Sequence, residues 1–65
     1  MDINLGKKFI QEKQFKKALL FFLNELKKGN NSLDTYFFLG VTYFELNEIK
    51  ESINYYRLAF NTLLK

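Results

Sequence analysis

Leu5-Gly6 recurs as Leu39-Gly40, and the offset between the two pairs, 34 in sequence number, is kept along the chain. Phe9 and Tyr43, Phe15 and Ile49, Ala18 and Ser52, Leu19 and Ile53, and Phe22 and Tyr56 all share it. Self-similarity at a fixed period of this length means one supersecondary unit written twice, with neither copy able to bury its apolar face alone. A single domain over residues 1–65 is therefore expected, with one unit in 1–32 and the second in 33–65.

Each unit is expected to be a pair of helices. With no proline and three glycines, the few punctuation points carry weight, and the clearest is Gly29-Asn30-Asn31-Ser32. Lys27 and Lys28 precede it, where cations suit a helix C-terminus, and Gly29 can adopt the left-handed capping conformation. Ser32 or Asp34 then serves as the next N-cap. Weaker breaks fall at Glu12-Lys13-Gln14 and at Leu46-Asn47-Glu48, where Asn47 tolerates a positive φ. Four helices follow, at about 2–12, 15–28, 34–46 and 49–64. Phe15, Ala18, Leu19, Phe22 and Leu26 share one helical face, and Ile49, Ser52, Ile53, Tyr56 and Phe60 repeat it. No strict alternation persists, so the predicted class is all-α: two antiparallel helical hairpins stacked as a short solenoid.

This period, with two helices to each unit, resembles the tetratricopeptide repeat, whose pattern runs aromatic-x2-Leu-Gly-x2-Tyr, then a small residue, an aromatic and Ala. Tyr36, Leu39, Gly40, Tyr43, Ser52, Tyr56 and Ala59 follow it in the second unit. In the first unit Leu5, Gly6, Phe9, Ala18 and Phe22 do so, while Asp2 stands in place of the aromatic and Glu25 in place of Ala. The resemblance implies a steric role for these residues. Gly6 and Gly40 let the first helix of each hairpin lie close to the second, Ala18 and Ser52 keep the facing position small, and the aromatics fill the gaps. The departures in the first unit predict fraying of its N-terminal turn.

The resemblance also implies a concave, peptide-binding surface built from the first helix of each hairpin. By position it comprises Ile3, Lys7, Ile10 and Gln11, followed by Asp34, Phe37, Phe38, Val41, Phe44 and Glu45. Two accounts stand for its apolar members. They form a continuous groove for an apolar or amphipathic segment, or Phe38 and Val41 pack on the first hairpin and only Phe37 and Phe44 are free. Some family members grip a peptide's terminal carboxylate with Lys, Arg and Asn on these helices. Here only Lys7 stands at such a position, which argues against that mode.

Charge is uneven. Residues 1–32 carry seven Lys against Asp2, Glu12 and Glu25, a balance of +4, whereas 33–65 balance at −1. Lys7, Lys8, Lys13, Lys16 and Lys17 could attract nucleic acid or anionic membrane. They spread over two helices and a turn without an Arg to read bases, and a solvated face accounts for them better. The longest apolar run, Ala18 to Leu23, is far short of the roughly 20 residues that span a bilayer, and no apolar segment near Met1 suggests a signal peptide. A cytoplasmic protein is expected.

Catalysis has little to work with. There is no His, no Cys and no Gly-rich phosphate loop beside Glu45, Glu48 and Glu51, so these are expected to be ordinary surface acids. No enzyme activity, metal site or cofactor is predicted. The expected function is a protein–protein interaction scaffold that binds a protein or peptide segment, another copy of itself, or both. The alternatives are a basic helical module docking on nucleic acid or anionic membrane, and a piece of a longer repeat array.

Self-association is expected through the last helix. Tyr55, Leu58, Thr62 and Leu63 are read as its uncovered side, beyond an inward stripe of Ile49, Ile53, Tyr56 and Phe60, and a second copy is expected to cover them in a two-fold dimer.

Overall fold

The computed structural model describes residues 3–65. Asp2, and with it the expected start of the first helix, lies outside the described residues. Four helices run α1 Asn4–Gln11, α2 Phe15–Lys27, α3 Leu33–Glu45 and α4 Ile49–Leu63. The chain is all-α, and among the described residues no helix is long and apolar enough to cross a membrane.

Chain reversal uses the same device at three helix ends. After α1, the Gln14 N–H donates to the Phe9 carbonyl at 2.8 Å and the Lys13 N–H to the Ile10 carbonyl at 2.9 Å, with Lys13 at φ 60°. After α3, Glu48 bonds Tyr43 at 2.8 Å and Asn47 bonds Phe44 at 3.0 Å, with Asn47 at φ 64°. Gly29 closes α2 similarly at φ 92°. This crossed pair of bonds around a left-handed residue satisfies carbonyls that a helix end leaves free. Lys13 and Asn47 are themselves one period apart, so the turns repeat with the helices. Ser32 caps α3, its hydroxyl accepting from the Thr35 N–H at 3.3 Å.

Helix α3 is central, packing most extensively on α4 and next on α2. Ala18, Phe22 and Leu39 form the fully buried core, with Ile3, Phe9, Ile10, Leu19, Leu23, Leu26 and Phe38 packed around it. Phe22 is shared between neighbours: its ring lies where a Cβ on Gly6 would be, and it stacks on Phe38 of α3 with centroids 5.6 Å apart. In the second hairpin the ring of Tyr56 takes the corresponding place over Gly40, 2.6 Å from where a Cβ would stand. The Ser52 hydroxyl donates to the Gly40 carbonyl at 2.7 Å, so the small facing position also ties α4 to α3.

Two buried groups go beyond the sequence reading. Thr35 and Thr42 are fully buried on α3, and the Thr42 hydroxyl returns to the Phe38 carbonyl at 2.7 Å. Glu25, standing where Ala is expected, is also buried. Its carboxylate accepts from the Asn30 amide at 3.3 Å and meets Lys28 Nζ at 3.5 Å.

Leu5 departs from the expected packing role. It is exposed, whereas its counterpart Leu39 is fully buried against Ala18 and Phe22 of the preceding hairpin. No helix among the described residues occupies that side of α1.

Candidate functional site

The side chains assigned to the groove divide by burial. Ile3 and Ile10 are half-buried and pack against the core. Phe38 is half-buried as well, stacked on Phe22 and set edge-on to Phe37 at 5.3 Å, with the Lys7 ammonium 5.8 Å from its ring centroid. Val41 is half-buried, and Lys7, Gln11, Asp34 and Glu45 are exposed.

Phe37 and Phe44 remain, exposed at 45% and 55%. Two turns apart on α3, they lie along one face of the helix. Helical spacing allowed all four apolar side chains of α3 to be free, but Phe38 and Val41 are partly covered, which leaves two rings flanked by polar groups. Phe37 also meets Tyr56 of α4, with centroids 5.9 Å apart, so this surface continues onto the last helix.

On α4 the stripes differ from the sequence reading. Ser52 and Ala59 are buried on the side facing α3, and Tyr55, Tyr56 and Thr62 are half-buried. Tyr55, expected to be uncovered, stacks on Tyr43 at 5.6 Å and lies 6.3 Å from Tyr36. Burial pushes both the Tyr43 and Tyr55 hydroxyls above the ordinary tyrosine pKa; Tyr43 is further affected by Tyr55, and both by the nearby Glu51 carboxylate. The Thr62 hydroxyl donates to the Leu58 carbonyl at 2.9 Å.

Most of the stripe read as inward is exposed. Ile49 is 43% exposed, Ile53 52% and Phe60 58%, with Tyr56 half-buried among them, and Leu63, expected to be uncovered, continues the same face at 63%. The cause lies in the period itself. Ile49, Ile53 and Phe60 correspond to Phe15, Leu19 and Leu26 of α2, which are half-buried, Leu19 and Leu26 against the core cluster that holds Leu39 of the second hairpin. A matching stripe on α4 therefore runs beside the α3 contact, joined to it by Tyr56, and no described residue lies over the rest of it. Leu58 is also exposed, but on the opposite side of α4, beside an open depression lined by Asn31, Tyr36, Asn61 and Thr62.

Among the described residues, no cluster of His, Cys, Asp or Glu is arranged to hold a metal ion, and every buried side-chain nitrogen or oxygen has a hydrogen-bond partner. Comparison with protein-family models, with curated proteins and with solved structures finds no match for this chain.

Proposed function

We propose that this chain is a protein-binding module of two tetratricopeptide-like hairpins, not an enzyme, and that it holds an apolar or amphipathic segment against Phe37 and Phe44. The observation carrying the reading is the exposure of these two rings at 45% and 55% on one face of α3. Neither belongs to the buried core, and each half-exposed ring forgoes about half of the roughly 1.5–3 kcal/mol that full burial of such a side chain supplies. A bound segment recovers that. Lys7 and Gln11 of α1, with Asp34 and Glu45 of α3, supply a polar rim of both charges to orient it.

The repeat reading is supported by recurrence in three dimensions. Gly6 under Phe22 matches Gly40 under Tyr56, and the left-handed turn at Lys13 matches that at Asn47.

Selection from a displayed random-peptide library tests the function. Peptides enriched on the wild type should carry large apolar side chains and lose binding to Phe37→Glu, Phe44→Glu, whose far-ultraviolet circular dichroism should match the wild type. Their binding should hold between about 50 and 500 mM salt, since contacts through exposed lysines would be screened away over that range. Binding retained by the double variant, or abolished by salt, would refute the assignment.

A further inference from the structure

The apolar face of α4 adjoins the peptide surface where Tyr56 meets Phe37, and its remaining members, on the last helix alone, ask for a different occupant. Ile49, Ile53, Tyr56, Phe60 and Leu63 form an apolar stripe about 100° wide along the 15-residue helix, the width of a face made to be covered. On α2 the corresponding Leu19 and Leu26 are half-buried against the core cluster that holds Leu39 of the second hairpin, and Phe38 stacks on Phe22. The front of this chain presents something different. Asn4, Leu5 and Lys8 stand one period before Phe38, Leu39 and Thr42. Stacking the front of one copy on the α4 of another would set an amide and an ammonium where α3 presents a phenyl ring and a buried threonine, so head-to-tail addition is a poor match.

The stripe is, however, complementary to itself. In an antiparallel two-fold pair centred near Tyr56, Ile53 of one copy lies beside Phe60 of the other, and Ile49 beside Leu63. Their exposure amounts to roughly 500 Å² on each copy, so a pair would bury at most about 1,000 Å², the size of a weak, transient interface. Antiparallel pairing also sets the N-terminus of each α4 beside the C-terminus of the other, which suits their dipoles.

We propose that two copies of this chain pair antiparallel along α4 through Ile49, Ile53, Tyr56, Phe60 and Leu63. A two-fold interface of this kind closes on itself and does not propagate. Its modest area makes the pair reversible.

Sedimentation equilibrium of the 65-residue chain from about 5 to 500 µM is the test. The average mass should rise from 7.8 kDa to a plateau at twice that value. Ile53→Glu, Phe60→Glu should remain at monomer mass over the whole range, whereas Leu58→Glu, on the opposite side of α4, should dimerise as the wild type does. Because the chain has no cysteine, a second measurement avoids the burial of charge. Arg57→Cys, exposed near the two-fold axis, should oxidise to a covalent dimer, and Leu58→Cys should not. A monomer at every concentration would overturn the proposal. So would a mass that climbs past the dimer without a plateau, dissociation by Leu58→Glu but not by the double variant, or a monomeric chain that binds an isolated peptide of residues 33–46 along this stripe.

Discussion

Replacing Gly40 by alanine sets two effects of known sign against each other. Alanine favours the interior of α3 over glycine by about 1 kcal/mol. Its Cβ, however, would stand 2.6 and 2.7 Å from the Tyr56 ring edge and 3.1 Å from Cγ, the ring atom nearest the backbone. Ordinary carbon contacts begin near about 3.5 Å, so ring or helix must shift by roughly 1 Å. Because Cγ is also met, turning the ring about its own axis does not relieve the contact. Tyr56 must swing away from Phe37, or α4 must move off α3 and lengthen the 2.7 Å bond from Ser52 to the Gly40 carbonyl. Overpacking of this kind costs about 1–3 kcal/mol. The net expectation for Gly40→Ala is a loss of about 1 kcal/mol, or roughly 4–8 °C in Tm for a domain of this size. The sign should reverse where the ring is gone. In a Tyr56→Ala background, Gly40→Ala should stabilise by up to about 1 kcal/mol, giving a coupling of about 2 kcal/mol in a double-mutant cycle measured by urea unfolding. Equal effects of Gly40→Ala in the two backgrounds would refute the steric account of the repeat glycine.

Two further predictions rest on the turns and the half-buried tyrosines. Lys13 holds φ 60° without the freedom of glycine, so Lys13→Gly should raise Tm by a margin equivalent to about 1 kcal/mol; an unchanged or lower Tm would mean that this turn carries no strain. Tyr43 and Tyr55 have pKa values raised in the folded state, so above pH 10 the unfolded chain loses these protons first and binds fewer than the native one. Stability should be unaffected by these groups below pH 10 and fall as pH rises beyond it, more steeply in the wild type than in Tyr43→Phe, Tyr55→Phe, as read by thermal melts across about pH 9–11.5.

The helices and the glycine contacts were legible because they depend on residue type at fixed spacing. A glycine facing an aromatic, repeated one period on, is a steric statement, and Gly6 with Phe22 and Gly40 with Tyr56 match it in space. Asn47 could be read as a left-handed turn residue because its side chain is among those that tolerate that conformation. Lys13 could not, since lysine carries no such preference, although its place one period before Asn47 was an available signal. Thr35 and Thr42 escaped notice for a related reason. Their hydroxyls read as polar in sequence, yet each finds a local partner, Ser32 Oγ at 3.2 Å and the Phe38 carbonyl at 2.7 Å, and burial follows.

The face each stripe presents was the least legible feature. An apolar stripe at helical spacing shows that a helix has a face to cover, but not which neighbour covers it. Ile3 and Ile10 are half-buried while Phe37 and Phe44, their counterparts in the second unit, are exposed. Leu19 and Leu26 are half-buried while Ile53 and Phe60 are exposed. Every member of these pairs is large and apolar, so the difference in burial comes from position in the stack: the second hairpin packs on the first, and no described residue lies over the second. The chain's candidate binding surfaces are thus its own packing surfaces repeated one unit on. Under the two proposals a bound segment at Phe37 and Phe44, and a second copy at Ile53 and Phe60, supply cover of the kind that Ile3, Ile10, Leu19 and Leu26 find within the chain.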